Sequence, residues 1–253
     1  MPSEGGIDLP QPTRTAIAEV WRSRAAAEGS VERYVRDLGH DLRESGADSS
    51  VLSLVDRALA DETRHVAECL DIAARYFGAT IIAPAPRAFV DPLADVAMPL
   101  RATLRAMGMS CISESIASVW VDESARRTRP SWLHASLRAH LGDEVHHARL
   151  GWAHLASRQV DAGTRRALGR WVLPLLRASL ASWLVFDPCW PSDGFPEHGL
   201  PGHDDSRSFV HQAVQGVVLP GLEHLDIDVR AARAWFTREA SGLRDDGPGG
   251  EDA

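Results

Sequence analysis

Residues 57–77 read RALADETRHVAECLDIAARYF, and residues 137–156 read LRAHLGDEVHHARLGWAHLA. Each stretch holds one D-E-x-x-H string: Asp61-Glu62-Thr63-Arg64-His65 in the first and Asp143-Glu144-Val145-His146-His147 in the second. At this composition a lone E-x-x-H is expected about 0.6 times by chance, whereas two copies with the preceding Asp are expected about 0.001 times. On a helix, residues i and i+3 share a face, so each Glu–His pair can point at one metal ion. Glu supplies an oxygen able to bridge two cations, and neutral His supplies a nitrogen that suits iron.

Working outward, apolar residues recur at three- and four-residue spacing almost throughout, and Ala, Leu and Arg dominate, which predicts an all-α chain. Helices are expected over about 13–38, 50–77, 99–127 and 131–158. The second should be capped by Ser49 or Ser50 and stopped by Gly78. The first and second are joined by a short turn at 44–48, and the third and fourth by 128–130. Between the two pairs, ATIIAPAPRAFVDPLADVAM (79–98) carries three Pro and reads as a long crossing connection. Short, long, short is the connection pattern of a four-helix bundle with one crossover. Further helices follow over about 162–184, with a kink expected at Pro174, over 206–225, interrupted near Pro220, and over 228–239. The chain therefore divides into a flexible tail (1–12), a bundle (13–158), a helical extension (159–240) with a long loop at 186–205, and an acidic, Gly-rich tail (241–253) expected to be disordered.

Two metals need carboxylates from the other two helices, and the sequence supplies them. Glu114 precedes Glu144, and Glu28 precedes Glu62, by about one helix up, a short turn and a return. Glu32 lies on nearly the same face as Glu28 and is the alternative. At 100° per residue, Trp21, Val31 and Val35 fall within about 60° of Glu28. Val55, Val66, Cys69 and Ala73 surround Glu62. Met107, Cys111, Ala117 and Val121 surround Glu114, and Leu133, Leu137, Ala148 and Leu155 surround Glu144. Carboxylates so placed are buried, and buried charges need a partner or a metal. Asp61 and Asp143 are placed to accept the outer N–H of the His of the opposite motif. Arg64 is placed to pair with one of them.

The pattern E…DExxH…E…DExxH over residues 13–158 resembles the ferritin-like di-iron carboxylate superfamily. By motif position the resemblance implies metal ligation by Glu28, Glu62, His65, Glu114, Glu144 and His147. His140, one turn before Glu144, gives H-x3-E-x2-H, similar to the p-aminobenzoate N-oxygenase family, and implies a third imidazole on one iron. The implied cofactor is a pair of Fe ions cycling between Fe2+ and Fe3+, although Mn accepts the same ligands. The implied partners are O2, a small-molecule substrate and an electron donor, and proteins of this class often dimerise. The metal site itself is the catalytic group, and no separate acid or base is read from the sequence.

Three functional classes follow. An oxygenase or oxidase would hydroxylate or N-oxygenate a small substrate. Ser110, Ala117, Ser118 and Gly151 would then leave space beside the metals, and the extension and loop would act as a lid. A ferroxidase, iron-storage or peroxide-detoxifying protein needs little beyond the bundle. A non-enzymatic helical domain would carry a degenerate site. The other candidates read as packing or solvated groups: Tyr34, Tyr76, Cys69, Cys111 and His154 as packing, His146 as exposed, and His198, His203, Asp204 and Asp205 as parts of a solvated lid or linker.

Composition narrows the classes further. The chain has 253 residues and a net charge of −8, and all 27 basic residues are Arg. Without a basic tract, binding to nucleic acid or anionic membranes through charge is not expected. No run approaches the roughly 18 apolar residues of a membrane helix. Three widely spaced Cys without a CxxC pair, and an N-terminus without a signal-peptide pattern, lead to a cytoplasmic expectation.

Overall fold

The computed structural model describes residues 7–85 and 93–245. Among these residues the chain is all-helical, with no strand beyond an isolated bridge between Phe195 and Leu200. Helix α1 spans Gln11–Glu44 and α2 spans Ser49–Phe77. A short turn with Gly46 at φ 75° returns the chain antiparallel. The two helices meet closely at Gly39, where a Cβ would lie 2.6 Å from Val55 Cγ1. Asp48, one residue before the expected Ser, occupies the position preceding α2. Gly78 ends α2 as expected, at φ 85° with its N–H on the Ala74 carbonyl.

The third expected helix is not uniform. It consists of α3 (Leu100–Ala106), a π-helical segment (Met107–Ser113) and α4 (Glu114–Arg127). Its partner α5 spans Ser131–Ala156. The crossing connection between α2 and α3 lies partly outside the described residues. Helix α1 packs along α2, α5 along α2 and α4, and α3 against α1 and α5. Asp41 of α1, 2% exposed, ties α1 to α3 by accepting hydrogen bonds from Arg101 (2.8 Å) and Arg105 (2.7 Å).

Three apolar clusters organise the interior. One joins Val35, Leu38 and Leu42 of α1 to Val51 and Val55 of α2, with Ala102, Ala106 and Leu150. A second, at the opposite ends of these helices, joins Ile17–Trp21, Cys69–Tyr76, Trp120–Ala125 and Leu133–Leu137. Residues 28, 62–65, 114 and 140–147 lie between these two levels. The third cluster packs the C-terminal helices onto the π segment and α4. Met107 and Cys111 belong to it. The straight-helix wheel had set them beside Glu114, but the wider π turn changes the register.

The extension contains α6 (Ala162–Trp183), α7 (His203–Ala213), a second π segment (Val214–Val218), α8 (Leu219–His224) and α9 (Arg230–Asp245). The expected interruption near Pro220 is present: the helical run through α7 and α8 widens into the π segment Val214–Val218 just before Pro220, which cannot donate the regular α-helical bond. Two boundary expectations are corrected. Helix α1 begins at Gln11, with Ile7 and Leu9 packed on the second cluster, so these residues are not a free tail. Helix α9 continues to Asp245, and the rest of the expected acidic tail lies outside the described residues. No helix among the described residues is long and apolar enough to cross a membrane.

Candidate metal centre

Four helical segments deliver acids and imidazoles to one level. Glu28 comes from α1, Glu62 and His65 from α2, Glu114 from the start of α4, and His140, Glu144 and His147 from α5. Apart from Glu28, whose side chain is 12% exposed, each is at most 5% exposed. Ligand-type atoms lie within 4.8 Å of one another in three groups: Glu28–His65–His140, Glu62–His65–His147 and Glu114–Glu144–His147. All seven residues expected as ligands therefore converge. Glu32 does not; it bonds Arg36 at 2.7 Å and joins none of the groups.

Glu62 and Glu144 are central. His147 Nδ1 lies 3.0 Å from Glu62 Oε1 and 3.7 Å from Glu144 Oε2. His65 Nδ1 lies 3.7 Å from Glu62 Oε2 and 3.9 Å from Glu144 Oε1. His140 Nε2 lies 2.7 Å from Glu144 Oε1, and its ring stacks on His65 at 3.7 Å. The expected cross-pairing is present: His65 Nε2 meets Asp143 Oδ2, and His147 Nε2 meets Asp61 Oδ2, both at 3.4 Å. Arg64 donates to both aspartates, at 2.8 Å to Asp61 Oδ1 and also to Asp143 Oδ2. It thus clamps α2 to α5, whereas the sequence suggested one partner.

The residues fit a divalent cation pair. Glu62 Oε2, Glu114 Oε1, Glu144 Oε2, His65 Nδ1 and His147 Nδ1 are buried without a hydrogen-bond partner. Five such atoms at one place are a large desolvation cost unless something positive binds them. The crowding also shifts how these groups titrate. Burial and then the Glu144 and Glu62 charges push the Glu114 carboxyl well above its usual range. Burial also raises Glu28, against the pull of His140 and Arg24. Burial alone would depress the imidazoles, yet the facing carboxylates win. Glu144 and Glu62 bring His147 to about 12, Glu144 and Glu68 bring His140 to about 10, and His65 is raised beside Glu62. Glu144 itself is held well below the carboxylate range by His140 and His147, despite its burial.

A cavity of about 570 Å³ opens onto this level. Glu28, Glu62, Glu114 and Glu144 form its floor. Its far walls come from the extension: Leu175, Ser179 and Trp183 of α6, then Phe186 and Trp190 of the loop. Trp183 is fixed by its indole N–H on Ser113 Oγ at 3.1 Å. Of the small residues expected to make space, Ala117 lines the cavity, but Ser110, Ser118 and Gly151 do not. Gly151 instead lets α5 touch the π segment: a Cβ there would lie 2.7 Å from the Ala106 carbonyl and from Cys111 Sγ.

Sequence reasoning missed Arg24 and the aromatic wall. Arg24 lines the cavity, lies over Trp120 at 4.4 Å and Trp21 at 5.2 Å, and reaches Glu28 at 3.5 Å. Its position one turn before Glu28 was the available signal. The polar residues of the loop do not gather into a ligand group. His198 bonds Tyr76 Oη at 2.8 Å, His203 stacks on Phe186 at 3.8 Å, and Asp204 and Asp205 pair with Arg207 and Arg127. His146 is half-buried, bonded to its own helix at Gly142, and His154 is packed with its Nε2 on Thr103 Oγ1 at 3.2 Å. Comparison of the chain with protein-family models, curated proteins and solved structures finds no match.

Proposed function

We propose that this chain is a ferritin-like di-iron carboxylate protein that uses O2 to hydroxylate or N-oxygenate a small organic substrate. The observation that carries the reading is the set of five unpartnered, buried ligand-type atoms at one level, on Glu62, Glu114, Glu144, His65 and His147, three of whose residues also line the cavity. The packing of α1, α2, α3 to α4, and α5 around that level supports the four-helix bundle, with the crossover between α2 and α3. Bound iron would supply the redox chemistry, the reduction of O2 and delivery of an oxygen atom.

The chain's own residues do the rest. Glu28, Glu62, Glu114 and Glu144 supply oxygens, and His65, His140 and His147 supply nitrogens. Asp61 and Asp143 accept the outer imidazole N–H groups, which keeps the inner nitrogens free as donors. Trp183, Trp190 and Phe186 limit water above the floor, so charges on the floor interact in a low-dielectric space. His140 supports the N-oxygenating variant of the reading through the implied third imidazole. An electron donor and iron, rather than manganese, belong to the same proposal.

Iron storage or ferroxidase activity is the second reading. The cavity walls contributed by α6 and the loop favour the first, because handling iron alone needs no organic-sized chamber. The test is anaerobic loading with Fe(II), metal counting, and O2 uptake with and without added amines or hydrocarbons. About two irons per chain and O2 uptake that depends on the organic compound support the oxygenase. Iron far above two per chain would assign storage, and no uptake of iron would sink both readings.

A further inference from the structure

The imidazoles of the centre share one device, and one instance of it comes from outside the two D-E-x-x-H strings. The outer nitrogens of His65 and His147 each face an aspartate at 3.4 Å, and both aspartates belong to the strings. His140 lies before the second string, and its Nδ1 lies 3.5 Å from Glu68 Oε2. Glu68 sits on α2, three residues past His65 and so on the same side of the helix, with its side chain 23% exposed. Its other oxygen, Oε1, accepts the hydroxyl of Ser136, one turn before His140 on α5. The inner nitrogen of His140, Nε2, is the one that meets Glu144, at 2.7 Å. All three imidazoles thus turn one nitrogen to the centre and the other to a carboxylate.

We propose that Glu68 is a positioning residue of the metal centre: it holds the Nδ1 proton of His140, so that Nε2 presents its lone pair to a divalent metal, and Ser136 holds Glu68 in place. The proposal rests on the di-metal reading of the site. A neutral imidazole carries one N–H, and the hydrogen bond at the outer nitrogen decides which nitrogen keeps it. With no acceptor at Nδ1, the proton is free to sit on Nε2, where it bonds Glu144 and blocks ligation. Removing such an outer carboxylate typically weakens metal binding about 10- to 100-fold.

The test is anaerobic titration of the full chain with Co(II), followed by visible absorption, for wild type, Glu68→Ala, Glu68→Gln, His140→Ala and the double variant Glu68→Ala/His140→Ala. Wild type should take about two Co(II). Glu68→Ala should weaken one of the two about 10- to 100-fold and change its absorption band, leaving the other unchanged. Glu68→Gln, whose amide oxygen still accepts from Nδ1, should recover most of the loss. In the His140→Ala background, Glu68→Ala should have no further effect. Unchanged affinities in Glu68→Ala, or an equal loss with and without His140, would overturn the proposal. If Glu68→Ala does not fold, Ser136→Ala replaces it, and the same site must weaken for the proposal to stand. Wild type that binds no Co(II) would remove the di-metal reading and this proposal together, an outcome distinct from the others.

Discussion

At the scale of single residues, polar groups in the interior divide by what neutralises them. The acids and imidazoles of the metal centre form a belt across four helices and face one another, whereas His154 bonds Thr103 and feels the Asp48 charge only weakly against its burial. Burial pulls His154 down to about 4, so it stays neutral when the chain is folded. Its unfolded counterpart protonates near 6.5. Below that value the unfolded chain takes up a proton that the folded chain refuses, so stability falls as pH drops from 6.5 to 4. The slope is about 1.4 kcal/mol per pH unit, on the order of 3 kcal/mol over the window. In denaturant titrations between pH 7 and 4, the difference in stability between wild type and His154→Gln should change with that slope, since the other titrating groups are common to both. At the centre, Glu144→Ala should abolish binding of the second metal, counted after loading; two metals retained would refute its place as a ligand. The i,i+3 spacing made Glu62, His65, Glu144 and His147 legible from sequence, because helix geometry alone puts each pair on one face. Glu28 against Glu32 was not legible, since both share a face. In the folded chain Glu28 joins His65 of α2 and His140 of α5, whereas Glu32 pairs with Arg36 of its own helix.

At the scale of elements, the π segment is the departure that matters. It directly precedes Glu114 and sends Met107 and Cys111 to the C-terminal cluster. Nothing local in MGMSCIS announces it, since the wider turn is set by packing against α5 and α6. Gly151 is the complementary feature on α5. Gly151→Ala should press a methyl group on the Ala106 carbonyl and Cys111, a contact that neither backbone nor buried sulfur relieves easily. A loss of roughly 1–3 kcal/mol is expected, measurable by denaturant unfolding, with weaker metal binding because Glu114 follows directly. The α1–α3 tie is testable in the same way. Asp41→Asn leaves two partly exposed guanidinium groups short of a countercharge, and about 2 kcal/mol is expected, a drop of roughly 4–8 °C in the unfolding midpoint. A midpoint within 2 °C of wild type would deny the tie an energetic role.

At the scale of the molecule, the extension supplies the chamber. Helices α1, α2, α4 and α5 bring the ligand-type residues together, and α6 with the loop walls off the space above them. Ser179→Phe, on α6 and remote from the ligand-type residues, should fill the cavity while leaving the metal count unchanged. Organic-dependent O2 uptake should then drop by at least tenfold; equal uptake would mean that the substrate does not use this chamber. Metal binding should also stabilise the whole fold, because the belt's repulsion is relieved only in the folded state. At a free metal concentration a hundred times its dissociation constant, about 2.7 kcal/mol is expected, seen as a raised calorimetric midpoint.

The sequence by itself determined the helical class, the two Glu–His pairs, the helix stop at Gly78 and the short turns, because each rests on spacing or local backbone preference. Only the tertiary structure decided which acid of α1 joins the belt, how the π segment sets Glu114, which carboxylate faces His140, and that α6 walls the cavity. Those depend on side chains from different helices meeting in space, and no periodicity along one helix encodes what stands opposite it.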